Sequence, residues 1–539
     1  MNRILSYIIA LLVFCSFEVK GQEQILPISD VEVVKAFEAK LKEAKVIEVN
    51  PELKDPTPSN TKFSYPLNID PLNLNYPDPK IRPLSFYESK ETHLHHSWVK
   101  AGFGNLKRPS IELSHFNYVE DQYHWSVFGS YHGGKESDSL FANLLTTQLT
   151  GEYFISENWK TSAQISFSNE NRSLRPYDNS DSLYITQGFQ SILLAPGIHT
   201  QSRLLGKLDL GIDLVFRNNR INRKNKEEDP LMQGYLQHKE SIFEVPVYAN
   251  LHLSETSLIS IHNSFSAFKS DGANYYGNQV KAKFHSKKNN LHFDLGFSAV
   301  ATRDSIQTFP ELEFAYKIEN SGITVSLGAY QNAELNSIEY LYSKNPYVLY
   351  DDNNSKRIFS DQRIFAGLQY SKKSLNANLK SGYQIIDNIA DFLYRDQTYT
   401  AYFLSGNAIF IESDLTYTLN QNLSIDASAV KTFYSLDGEH GLPDFEATTS
   451  LTYRNENKWM IKPSFSFRSA ANILQETSLG NIFKKENTLL DFSIYADYFF
   501  SEHVGFYLEA NNLFNQKYLR WTDYPDFGIN IYGGFKAKF

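Results

Sequence analysis

The sequence predicts an all-β protein: a transmembrane antiparallel β-barrel of about 22 strands behind a short proline-rich segment. Three observations predict it. Long stretches alternate apolar and polar residues, the period of a strand with one greasy and one wet face. Short polar breaks alternate with longer loops, as at the two ends of a membrane barrel. Aromatic residues are abundant, 39 Phe and 34 Tyr against 3 Met and 1 Cys. A mean hydropathy of −0.40 excludes a bundle of membrane helices, because spanning helices need long unbroken apolar runs. A barrel escapes that test, since half of each strand is polar. The net charge of −9 gives no reason to expect a nucleic-acid partner.

Residues 1–21 read as a secretory signal peptide, with Arg3 as the positive start, Ile4 to Phe17 as the apolar run and cleavage between Gly21 and Gln22. Cys15 lies inside that run, and the bulky Phe14 before it disfavours lipidation. The mature chain is then free of cysteine, which excludes a disulfide framework.

Residues 22–93 differ in kind. Ala36 to Lys45 suits a short helix. Pro51, Pro56, Pro58, Pro66, Pro71, Pro77, Pro79 and Pro83 follow, a density that predicts an extended tether. Leu94 to Phe539 is the barrel. Leu204 to Arg217, Phe243 to Ser254, Leu291 to Ala299 and Trp459 to Arg468 alternate faces most clearly. Leu208, Leu210, Ile212, Phe243, Val245, Val247, Phe293 and Leu295 are expected on the lipid face. Asp209, Asp213, Asn250, His252 and Asp294 are expected on the lumen face. Pro246, Pro310 and Pro463 fall inside these strands and are expected to mark bulges or strand ends.

Ten short breaks divide the barrel. They lie at residues 119–121, 156–158, 199–202, 254–256, 287–289, 319–322, 372–374, 420–422, 455–457 and 501–503. Between them run longer loops at 171–183, 218–238, 331–357, 387–398, 471–486 and 515–526. Ten breaks make eleven strand pairs, hence the even count of about 22.

The last strand alternates from Phe527 to Phe539 and ends on an aromatic, as closing strands of bacterial outer-membrane barrels do. Before it stand Asn512-Leu513-Phe514-Asn515, Tyr518 and the pair Tyr524-Pro525. These residues resemble the end of TonB-dependent receptors. The chain departs from that pattern after the proline, reading Asp526-Phe527-Gly528-Ile529 where a Gly-Arg pair is usual. The resemblance implies a Gram-negative outer-membrane barrel with its N-terminus in the periplasm, inserted by the barrel-insertion machinery and surrounded by outer-membrane lipid. It also implies a plug domain, and residues 22–93 are too short for one. Val31-Glu32-Val33-Val34 vaguely resembles an energy-coupling box but reads better as the lead-in to the short helix, since four residues of that type are common by chance.

Little chemistry is written in the sequence. His93, His95 and His96 form a polar cluster at the inner rim rather than a metal site, for want of acidic partners. The oxygen-rich stretches Asp178 to Asp181 and Asp351 to Asn354 read as solvated loop tips, lacking the Gly and distal Glu of a calcium loop. Tyr340, Tyr342, Tyr347 and Tyr350 read as a recognition surface or as an interfacial girdle. Lys207, Asp209, Asp213, Arg217, Asp294, Lys462 and Arg468 read as an ordinary wet lumen. No catalytic, cofactor-binding or metal residue is assigned, no cofactor is expected, and the chain is expected not to be an enzyme. Two roles remain open. One is transport across the outer membrane. The other is a non-transporting scaffold barrel whose N-terminal segment binds a periplasmic partner. That partner would be an energy-coupling or scaffold protein. In either role residues 22–93 are expected to lie against the barrel or a partner, chiefly at 68–83, and removal of 24–90 is expected to open a channel.

Overall fold

The computed structural model describes residues 95–539 apart from positions 108, 138–139, 174–183, 201–206, 226–236, 271–273, 303–305, 350–357, 396–397, 456–457, 478–479, 486, 517–520, 522–523 and 525–526. The signal peptide, the tether, His93 and both oxygen-rich loop tips lie outside the described residues. These residues form a closed antiparallel barrel of 22 strands. The first strand, Ser97–Gly104, pairs with the last, Asn530–Lys538, from Trp98 opposite Lys538 to Gly104 opposite Tyr532. An even count lets the closing pair stay antiparallel. Among the described residues no helix is long and apolar enough to cross a membrane.

Among the described residues the short breaks fall at junctions of consecutive strands, at the end of the barrel that carries both barrel termini. Several use a residue with positive φ, such as Asp121, Asn289 and Lys373. The opposite end carries the longer connections. Some expected boundaries there are corrected. Residues 387–398 are mostly strand: Leu375–Arg395 and Thr398–Asn420 run 21 and 23 residues, far beyond the roughly 9–11 of one crossing. Residues 471–486 hold a hairpin, Asn472–Thr477 with Gly480–Lys485. Residues 218–225 continue a strand to Asn225. The last strand starts at Asn530 rather than Phe527, whose ring packs beside Gly134.

The expected faces hold. Leu208, Leu210 and Ile212 stand opposite Leu251, Ala249 and Val247, while Asp209 receives the His252 ring at 2.7 Å on the other face. Asp213 pairs with His199 at 3.1 Å, and the buried Asp294 with His285 at 2.9 Å and His292 at 3.2 Å. Arg468 meets Glu446 at 3.3 Å. This is the paired, wet lumen that the sequence predicts.

The prolines correct a second expectation, because none shifts the register. Pro246 lies within the continuous strand Gln237–Ser254, opposite Ser264. Its other neighbour is interrupted at Leu214 yet keeps register from Ile212–Val247 to Val215–Glu244. Pro463 pairs with Ile494 on one side, and on the other the ladder skips from Ser450–Ser464 to Tyr453–Ile461. Pro310 sits opposite Phe297, and its second neighbour pairs only from Leu312 onward. A missing N–H removes a ladder bond on one side only. The neighbour on the other side holds the register.

Candidate functional site: the closed mouth of the barrel

The segment after strand Ile323–Leu335 does not extend into solvent. Ser337 caps a helix of about two turns, Ile338–Lys344, accepting the Tyr340 N–H at 3.0 Å. Ile338, Leu341 and Tyr342 share one face at i, i+3 and i+4, and all three are buried. Pro346 follows the helix, and Val348–Leu349 adds as a short strand beside Tyr399–Thr400.

The barrel wall holds this segment by its polar groups. Glu240 accepts the Ile338 N–H at 3.0 Å and an Asn219 amide proton at 3.2 Å. Gln187 donates to the Pro346 carbonyl at 2.6 Å and accepts from Arg223 at 2.6 Å. Arg223 donates again to the Tyr347 carbonyl at 3.0 Å. Arg217 pairs with Glu339 at 3.3 Å. Gln187, Asn219, Arg223 and Glu240 are all buried. Hydrogen bonds to charged groups contribute about 1.5–3 kcal/mol each, so this seating is firm.

The apolar face meets residues from the far side of the ring. Phe189, Ile221, Tyr342, Tyr347, Phe392, Tyr399, Ile473 and Tyr524 belong to one buried cluster. Phe189 stacks on Tyr342 at 4.4 Å between centroids, and Trp521 stands edge-on to Tyr399 at 5.2 Å. Strands Tyr184–Thr200 and Thr398–Asn420 lie nearly opposite in the ring. Their side chains share one core only because loops fill the mouth between them. Burial pushes the Tyr340 phenol up to about 12 and raises that of Tyr342 as well, so both stay neutral.

A bulge positions the far side. Register shifts between Ile386 and Ile389, with Asn388 at φ 58°. Asn388 donates to the Ile358 carbonyl at 3.0 Å. Opposite, a Cβ on Gly406 would lie 2.3 Å from the Ser435 carbonyl, so only glycine fits. Beyond the bulge the hairpin loses both stave neighbours. It gains a parallel strand on each edge, Val348–Leu349 and Leu474–Gln475.

The tyrosine-rich loop is therefore corrected. Tyr342 and Tyr347 are neither a recognition surface nor a lipid-facing girdle but the core of a lid. Tyr340 packs partly buried against it, and Tyr350 lies outside the described residues. Sequence spacing missed Gln187, Arg223 and Glu240, which look like any polar residue on a lumen face. His95 and His96 do sit at the short-turn rim, beside His503 and Phe116. Among the described residues no group of three or more His, Cys, Asp or Glu is arranged to hold a metal ion.

The terminal motif is a clip. Asn512 and Asn515 take positive φ, and Asn512 donates to the Gln516 and Phe527 carbonyls at 2.8 Å each. Asn515 accepts the Ile529 N–H at 3.2 Å. Tyr524 is buried in the lid core.

No protein-family profile and no curated protein matches the sequence. Solved structures do match in fold. A ferric enterobactin receptor (PfeA) mutant from Pseudomonas aeruginosa aligns with a TM-score of 0.63 at 11% identity, over 82% of this chain and 80% of that one. The FrpB iron transporter from Neisseria meningitidis aligns at 0.63 and 11%, over 82% of each chain. The copper transporter OprC aligns at 0.60 and 13%, over 82% and 80%. The chain has the TonB-dependent receptor fold. Within a TonB-dependent-receptor-like barrel, the helix Ile338–Lys344 and its neighbours occupy the mouth at the long-loop end.

Proposed function

We propose that this chain is an outer-membrane transporter whose lumen is gated at the long-loop, outward end by its own loops. The observation that carries the reading is the seating of one loop on wall strands well around the ring from its own: Glu240 on Ile338, Gln187 on Pro346 and Arg223 on Tyr347. A wide barrel needs its lumen filled. A lid held by buried polar bonds and an aromatic core rests closed and opens only when something binds the open state better. The short-turn end, with the N-terminal segment, faces the periplasm in this reading, where an energy-coupling partner would act.

Tyr347→Cys with Tyr524→Cys adds a thiol pair to a chain whose one other cysteine is Cys15, within the expected signal peptide. A cleavable bismaleimide across the pair pins the lid. In a deletion strain complemented with this variant, transport predicts that the growth defect persists while the lid is pinned and disappears when the linker is cleaved. A scaffold barrel predicts rescue in both states, and that result would defeat the transport reading.

A further inference from the structure

The sheet at the long-loop end stops at an open edge. Its outermost strand, Gly480–Lys485, pairs with Asn472–Thr477 on one side, and among the described residues no strand pairs with the other. The hairpin is held from behind. Leu474 and Gln475 run parallel beside Leu393 and Tyr394, Ile473 is buried in the lid core, and Glu476 meets Arg395 at 3.4 Å. A strand with one neighbour leaves a row of backbone N–H and C=O groups unpaired, which is a template for another strand.

The side chains decide which strand fits. Ile482, Phe483, Lys484 and Lys485 are all exposed. Alternation puts Ile482 and Lys484 on one face and Phe483 and Lys485 on the other. Each face of the edge therefore carries one apolar residue and one cation, in the same order. Glu476 is the one carboxylate between Asn472 and Lys485, and Arg395 engages it. Lys484 and Lys485 have no carboxylate partner among the described residues. Lysines on an edge strand keep like edges apart. Two copies in one membrane are related by an axis along its normal, and the hairpin runs along the stave Leu375–Arg395. Such an axis sets the two edges side by side in the parallel sense, each lysine next to its own counterpart, and like charges in that position repel. The same lysines attract a strand that carries carboxylates.

We propose that the edge at residues 482–485 takes up, by strand addition, an extended acidic segment of a partner protein. Docked antiparallel, that segment sets two carboxylates against Lys485 and Lys484 and two apolar side chains against Phe483 and Ile482. The surface depends neither on opening of the lid nor on the transport reading.

Purified full-length chain in neutral detergent micelles is titrated with fluorescein-labelled peptides, and binding is read by anisotropy. The acidic probe is Thr-Glu-Glu-Val-Val-Thr, and its basic counterpart carries Lys in place of each Glu. The wild type should hold the acidic probe at least tenfold more tightly than the basic one. Lys484→Glu with Lys485→Glu should reverse that preference, and heat-modifiable mobility shows that the variant barrel has folded. A docked strand turns only every second residue's N–H to its neighbour. Methylating alternate backbone nitrogens of the acidic probe should therefore abolish binding in one phasing and spare it in the other. Equal binding of the two probes, no binding of either, an unchanged preference in the reversed variant, or equal binding in both phasings would each overturn the proposal.

Discussion

Tyr347 and Tyr524 lie ring on ring, 4.1 Å between centroids and 17° between planes, though one follows the loop helix and the other precedes the last strand. This contact ties two loops into one lid. Arg172 sits 5.2 Å from the centre of the Tyr347 ring. Replacing Tyr347 by Ala removes the stack, the cation contact and most of a large buried side chain. Core Phe or Trp truncations cost about 3–5 kcal/mol, and the loss here should fall on the lid rather than the barrel. Hydrogen exchange should speed at residues 338–348 by orders of magnitude while barrel strands stay protected. Uniformly faster exchange over the barrel would show that the lid is not a separate unit.

The seam of the barrel has its own ion network. Lys100 on the first strand reaches Glu112 at 3.0 Å and Glu509 at 3.2 Å. Lys100→Ala leaves two carboxylates facing each other without their cation. The expected cost is roughly 2 kcal/mol, below the 3–5 typical of a fully buried pair because Glu509 is partly open. Adding Glu509→Gln should recover part of it. Unfolding of the micelle-bound barrel in urea measures both, and a double variant no more stable than Lys100→Ala would contradict the seam account.

Neighbouring residues on one strand should respond oppositely to the same substitution. Leu368 points to lipid, 47% exposed without its bilayer, while Gln369 points into the lumen. Arg at Leu368 should cost about 2–4 kcal/mol if near mid-membrane and less toward the rim, whereas Arg at Gln369 should cost under about 1. Equal costs would mean that the register is displaced by one residue.

Phe539 closes the ring in a literal sense. Its N–H donates to the Ser97 carbonyl at 2.8 Å and its carbonyl accepts the Ser97 N–H at 3.0 Å. Its ring is exposed on the outward face, in line with Phe535. Deleting Phe539 removes both bonds and the exposed aromatic ring, which is expected to carry an assembly signal. Folded barrel in the membrane fraction should fall severalfold, as read by heat-modifiable mobility. Undiminished levels would show that the last residue carries no assembly signal.

The barrel was legible because its physics is periodic. Alternation in Phe243 to Ser254 fixes a face, and breaks such as Asn420-Gln421-Asn422 fix a turn, so strand count and register follow from local residues alone. The lid was not legible, because its determinants are non-local. Nothing about Glu240 announces that it caps the Ile338 N–H, since the two meet only when the ring closes. Tyr342 and Tyr347 have the composition of an exposed aromatic loop, and burial depends on Phe189 and Tyr524 arriving from elsewhere. Pro463 misled for a simpler reason: a strand with two neighbours tolerates losing a bond to one of them.

The central claim is that the barrel's own loops close its lumen. Single-channel conductance in planar bilayers tests it most directly. Three proteins are compared: the full mature chain, a chain with residues 338–348 replaced by a short Gly-Ser linker, and a chain lacking residues 24–90. The lid replaces the expectation that removing residues 24–90 opens a channel: a closed or nearly closed full chain, a large steady conductance without the lid segment, and a closed pore when only the N-terminal segment is removed are predicted. A lid-deleted barrel as closed as the full chain, or a pore opened by removing residues 24–90 alone, would contradict it.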